Sequence, residues 1–150
     1  MVAPLSVLSN WKDELTRVVA GARFHVYHGQ REERREAFNA ETRKWRGLTT
    51  DAGGKEEGGG GGGGGDGGPV IVLTTYEMVL KDEATLRLGG SRGLEWEYLV
   101  VDEAHRLKNR HGKLLAAMQA LRARRRLLLT GTPLQVCGRA LGNGPMCLLC

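Results

Sequence analysis

Three short apolar runs constrain this chain more than any other feature: Val70-Ile71-Val72-Leu73, Tyr98-Leu99-Val100-Val101 and Leu127-Leu128-Leu129. None alternates with polar residues, so each reads as a strand buried on both faces, the mark of a parallel sheet covered by helices on both sides. The stretches around them have helical character. Tyr76 to Leu88 reads as helix, and Lys113 to Arg122 carries Leu114, Leu115, Met118 and Leu121 on one side. After a clipped apolar run at Val2 to Leu5, the residues Val7, Leu8, Trp11, Leu15, Val18 and Val19 recur at spacings of three and four and predict an amphipathic helix. Phe24 to Tyr27 alternates as a short strand and stops at His28-Gly29. Gln30 to Arg46 is dense in Glu and Arg with few apolar anchors, which predicts an exposed helix supported by opposite charges three or four apart. Strand–helix alternation with continuous apolar strands predicts an α/β fold. The pattern says nothing about strand order.

The stretch from Gly53 to Gly68 holds 12 of the 23 glycines. Such a run has no apolar surface to bury and is expected to form a disordered, flexible insertion that interrupts one folding unit over residues 1–135. Residues 136–150 show no usable periodicity and are expected to form an irregular tail. All three cysteines, Cys137, Cys147 and Cys150, fall there, and an odd number in one tail is no disulfide framework. Cys147-Leu-Leu-Cys150 has the spacing of half a zinc site without a second pair, so no metal role is expected for it. No run of 18 apolar residues occurs, so no membrane partner is expected.

The formal charge of +5 is unevenly spread. Residues 51–100 carry four basic and nine acidic side chains, and residues 101–150 carry nine basic ones against Asp102 and Glu103 alone. A basic third suits a nucleic acid or another polyanion, and equally a solvated face.

In open α/β sheets ligands sit at the carboxyl ends of the strands. Here the three runs end in Thr74-Thr75-Tyr76, in Asp102-Glu103-Ala104-His105 and in Thr130-Gly131-Thr132. Four apolar residues running into Asp-Glu is the layout of the second nucleotide-binding motif of a P-loop ATPase. The strand brings the first carboxylate to a rigid point where it can hold Mg²⁺ through water. The second can orient or deprotonate an attacking water. Taken alone, the pair could equally be a surface turn.

With His105 and Leu127-Leu-Leu-Thr-Gly-Thr-Pro-Leu-Gln135 added, the sequence resembles the Swi/Snf-related ATPases of helicase superfamily two. Trp96 to Asn109 is similar to the family's DEAH-box motif II, and the stretch ending at Gln135 to its motif III. Val2 to Trp11 resembles motif Ia, and Val72-Leu-Thr-Thr-Tyr-Glu77 the next DNA-side motif. Tyr27-His28-Gly29 followed by Arg31-Glu-Glu-Arg34 looks most like the lymphoid-specific helicase branch, with the imitation-switch and chromodomain-helicase branches open.

The resemblance implies part of a RecA-like lobe of a nuclear, ATP-dependent DNA translocase or chromatin remodeller. Its cofactors would be ATP and Mg²⁺, and its partners duplex DNA and nucleosomes. It implies that Asp102 binds Mg²⁺ through water, that Glu103 is the general base, and that His105 and Gln135 complete the nucleotide side. Thr130, Gly131 and Thr132 would couple nucleotide state to the DNA track, with His105 as the link to them. Ser6, Asn10, Thr74 and Thr75 would lie along the DNA backbone, where short hydroxyls hold phosphates without reading sequence. Trp11 is expected to be a core anchor of its helix. For Arg106 and Lys108 a solvated face and a phosphate contact are both open.

The sequence also departs from the family. No Gly-x-x-x-x-Gly-Lys-Ser/Thr loop occurs in it, so the phosphates lack their main grip, and the second lobe with its arginine finger is missing. After Gln135 the chain reads Val136-Cys-Gly-Arg-Ala140 where the family continues with Asn-Asn, as a truncated or misjoined gene model would. The chain itself is therefore expected to be inactive. The other reading is a non-catalytic DNA- or partner-binding module derived from such an ATPase.

Overall fold

The computed structural model describes residues 1–50, 68–88, 95–107, 112–131 and 146–149. Within them, a 3₁₀ turn at Leu5–Val7 leads into α1 (Leu8–Val18), followed by β1 (Arg23–Tyr27), α2 (Arg31–Thr50), β2 (Val70–Thr74) and α3 (Tyr76–Leu88). β3 (Trp96–Val101) runs into a second 3₁₀ turn at Ala104–Leu107, then α4 (Lys113–Ala120), β4 (Ala123–Leu129) and β5 (Met146–Leu149).

All strand pairs are parallel. β1 lies beside β2 with Tyr27 opposite Thr74, β3 beside β4 with Val101 opposite Leu128, and β5 beside β4 with Leu149 opposite Leu129. The N-terminal segment joins the two halves. The Val2 N–H donates to the Val100 carbonyl at 2.8 Å, and the Val2 carbonyl accepts from the Asp102 N–H at 2.9 Å. On its other side, the Ala3 N–H donates to Thr74 and the Thr74 N–H donates to Met1, each at 3.0 Å. The order across the sheet is therefore β1, β2, the Val2 segment, β3, β4, β5. Pro4, which has no N–H to give, closes this short strand segment.

Helices cover both faces, as the continuous apolar runs require. Successive strand side chains point to opposite faces. On β1, His25 and Tyr27 meet Phe38 of α2, at ring-centroid distances of 5.6 and 5.2 Å. Val26, facing the other way, shares a cavity of about 300 Å³ with Leu5, Leu8, Ser9, Lys12 and His28, so α1 lies on that second face. The main core gathers Tyr27, Phe38, Val79, Val101, Met118 and Leu128.

Burial corrects several sequence expectations. α1 buries only Leu8, and Val18 is 78% exposed, because among the described residues no further layer packs over that face. β3 is not buried throughout: Leu99 and Val101 are, while Tyr98 is 53% exposed. α2 is not a simple exposed helix. Arg34, Phe38 and Thr42 are buried and Trp45 packs against the core, a stripe at spacings of four, four and three that the surrounding Glu and Arg residues hide. The Arg34 guanidinium bonds the Asp82 carboxylate at 2.6 Å, and Asp82 also accepts the Tyr27 hydroxyl at 2.9 Å. Burial, with Asp82 adding and Arg34 opposing, pushes the Tyr27 hydroxyl up to about 12.

The expected irregular tail over 136–150 is corrected at Met146–Leu149. Met-Cys-Leu-Leu is too short for a periodicity, but the free edge of β4 offers it a complete row of backbone partners. Positions 53–67 of the glycine tract lie outside the described residues. Gly68 is inside them, and its backbone approaches Gly21 so closely that a Cβ there would sit 1.8 Å from the Gly21 carbonyl oxygen.

Candidate functional site at the carboxyl edge of the sheet

The register brings the three polar strand ends to one edge. Tyr27 pairs with Thr74, Val2 bridges both Thr74 and Val101, and Val101 pairs with Leu128. Thr75, Asp102 and the residues after Leu128 therefore leave the sheet side by side.

The Asp102-Glu103 turn is the most constrained point on this edge. Glu103 has φ of 51°, a left-handed conformation that a residue with a Cβ rarely holds. Several contacts enforce it. One carboxylate oxygen of Asp102 accepts the Glu103 N–H at 2.9 Å, and the other accepts the Trp11 indole N–H at 2.7 Å. The Tyr76 hydroxyl sits against the carbonyl oxygens of both Asp102 and Glu103, the latter at 3.2 Å. The Arg106 N–H donates to the Glu103 carbonyl at 3.1 Å, and buried Ala104 and Leu107 anchor the turn that follows.

Burial raises the Tyr76 hydroxyl well above the ordinary tyrosine range; the Arg106 charge opposes this, and Asp102 and Glu103 add to it. Tyr76 therefore stays protonated as a donor. The Arg106 guanidinium lies over its ring, 5.2 Å from the centroid.

Glu103 and His105 face each other, with a carboxylate oxygen 3.0 Å from the imidazole Nδ1 and both side chains about half exposed. The arrangement places one fixed carboxylate, one accessible carboxylate and an imidazole at a strand end. Asp102 keeps free lone pairs beside its two N–H donors and can meet a hydrated cation.

The other candidate residues divide. Ser6 and Asn10 are exposed near the start of α1. Thr74 and Thr75 are buried instead, and both hydroxyls are used internally. Thr74 donates to the Tyr27 carbonyl at 3.0 Å, and Thr75 accepts the Met78 N–H at 3.3 Å, capping the first turn of α3. Thr130 is buried at the end of β4 and Gly131 is exposed. Lys108, Thr132 and Gln135 lie outside the described residues. Trp11 corrects its reading as a core anchor: it is half-buried, and its indole reaches 91 positions along the chain to Asp102. Tyr76 stands in the strand-end signature Thr74-Thr75-Tyr76, but the sequence assigns it no role; its contact with the Asp102-Glu103 turn comes from the fold.

Part of the basic third is neutralised away from this edge. At the amino ends of β3 and β4, Arg124 lies 3.4 Å from Glu95 and Glu97, and Arg125 lies 2.6 Å from Glu97. Among the described residues no group of three His, Cys, Asp or Glu could hold a metal, and no helix is long and apolar enough to cross a membrane.

Comparison with known proteins places this architecture. The SNF2-related domain matches residues 1–141. Mouse chromodomain-helicase-DNA-binding protein 1-like is 38% identical over 135 residues, covering 90% of this chain and 12% of that protein. The Arabidopsis thaliana ATP-dependent DNA helicase DDM1 is 37% identical over 135 residues, covering 90% and 15%. The solved Sulfolobus solfataricus SWI2/SNF2 ATPase core in complex with dsDNA matches with a TM-score of 0.53 and 30% identity, over 88% of this chain and 20% of that one. The chain thus spans a small fraction of the length of the proteins it matches, and its parallel sheet has the RecA-like fold of such an ATPase core.

Proposed function

This chain belongs to the SNF2-related domain family, and on that premise we propose that it is a piece of the first RecA-like lobe of a nuclear, ATP-dependent DNA translocase acting on chromatin. In this reading Asp102 would hold Mg²⁺ through its water shell, and the ion would supply charge neutralisation to the phosphates of bound ATP. The residues fit such an ion, because a single immobilised carboxylate suits a cation that keeps most of its waters and takes one or two protein oxygens. Glu103 orients the attacking water and takes its proton. His105 steadies Glu103 and passes nucleotide state towards Thr130, Gly131 and Thr132, with Gln135 on the nucleotide side. Ser6 and Asn10 meet the backbone of duplex or nucleosomal DNA, and Thr74 and Thr75 support the neighbouring turn.

The observation that carries this reading is the Asp102-Glu103 pair, held in an otherwise disfavoured turn at the end of β3 beside His105. The phosphate-gripping loop is not in these 150 residues. The chain alone is therefore proposed to bind duplex DNA without turning over ATP. An arginine finger by itself is worth about 10³–10⁵ in rate.

The test incubates purified chain with Mg-ATP and duplex DNA beside a Glu103→Gln control. Salt-sensitive DNA binding without turnover is expected. DNA-stimulated turnover that vanishes in Glu103→Gln would refute the fragment reading. The second reading, a stand-alone binding module, shares the first outcome. A transcript carrying a P-loop in frame with Met1 separates the two. In that longer product Glu103→Gln should abolish turnover and spare ATP binding.

A further inference from the structure

We propose that Trp11 and Tyr76 are positioning residues that make the Asp102-Glu103 turn respond to duplex DNA, an inference that rests on the DNA-translocase reading above. A left-handed Glu103 persists only because its surroundings over-determine it. Two of the contacts that do so come from side chains far away in sequence: the Trp11 indole on the Asp102 carboxylate at 2.7 Å, and the Tyr76 hydroxyl against the Asp102 and Glu103 carbonyls. In that reading the Trp11 segment lies on the DNA side of the site. Trp11 follows exposed Asn10 on α1, and Tyr76 follows Thr75 as the first residue of α3.

The two segments differ in how firmly they are held. The start of α3 is fixed, because Thr74, Thr75, Tyr76, Met78 and Val79 are all buried. α1 buries only Leu8, so it has little burial to lose by shifting. A ligand that grips the exposed polar residues of α1 and the turn before it will move Trp11 against a fixed Tyr76. Asp102 must then follow the indole or lose its bond, and either event changes the backbone at Glu103. This route enters the turn from the Val2 side of β3, whereas His105 meets Glu103 from within the same turn.

The test is nuclear magnetic resonance on the ¹⁵N-labelled full chain titrated with a short duplex, with binding followed in parallel by anisotropy of a labelled duplex. The Trp11 indole signal is assigned from its loss in Trp11→Phe. The indole and the Glu103 amide should both shift, with the midpoint seen by anisotropy. Tyr76→Phe should bind duplex with an unchanged midpoint while the Glu103 amide no longer follows. A purely structural tyrosine would leave that response intact. Thermal melts of both variants confirm that they fold, and if Trp11→Phe does not, Tyr76→Phe with the wild-type indole decides alone. Duplex binding with neither signal moving overturns the link and leaves the DNA reading standing. No binding by anisotropy overturns the DNA reading and the link with it.

Discussion

Position 103 should favour a residue that is useless for the chemistry. Glu103 has φ of 51°, and a side chain with a Cβ costs about 1–2 kcal/mol in the left-handed region. Glycine adopts this φ without that cost, but its freer unfolded chain returns about 0.5–1 kcal/mol of the gain. Replacing Glu103 by glycine also removes its pairing with His105 at 3.0 Å. Both partners are about half exposed, so screening leaves that pair at the low end of about 0–1 kcal/mol. Glu103→Gly should therefore fall between unchanged stability and a gain of about 1 kcal/mol. Glu103→Val loses the same carboxylate, keeps the strain and adds a branched Cβ, so it should lie about 1 kcal/mol or more below Glu103→Gly. Comparing the two variants cancels the carboxylate's own contribution. Urea unfolding followed by far-ultraviolet circular dichroism gives both free energies, provided the slopes agree. A valine variant as stable as the glycine variant would refute the claim that the turn is strained.

Asp82→Ala strands the buried Arg34 charge and the Tyr27 hydroxyl, and should cost about 3–5 kcal/mol in urea unfolding, while Arg34→Met with Asp82→Leu should recover most of it. Gly68→Ala forces the backbone away from Gly21 and should lower stability by about 1–3 kcal/mol in the same assay. Burial of His25 among Phe38, Trp45 and Tyr27 lowers its pKa below 6.5, with Glu41 opposing. The unfolded chain then binds more protons as pH falls, so this contribution is complete above about pH 6.5 and is lost progressively below it. His25→Phe should flatten the fall in urea midpoint between neutral and acidic pH. The Met1 amine, which burial lowers to about 5, titrates in both proteins and cancels in the comparison.

What the sequence determined by itself is local. Val70–Leu73, Tyr98–Val101 and Leu127–Leu129 could be placed as strands because an unbroken apolar run is a property of neighbours along the chain. The polar residues at their carboxyl ends could be placed with them, since the residue after a strand must emerge at the sheet edge. α4 was legible for the same reason, in the spacing of Leu114, Leu115, Met118 and Leu121. Contacts between distant segments were not legible. The insertion of Val2 between β2 and β3, the pairing of Met146–Leu149 with β4, and the burial of Arg34 against Asp82 each depend on a partner that no window of the sequence contains. The site shows the same division. Asp102, Glu103 and His105 announce themselves within four residues, whereas the Trp11 indole that holds Asp102 comes from 91 positions away, and the left-handed Glu103 is a backbone state that a glutamate does not advertise. Side-chain type and spacing are inherited from the chain, but a hydrogen bond across the sheet exists only once packing has fixed both of its ends.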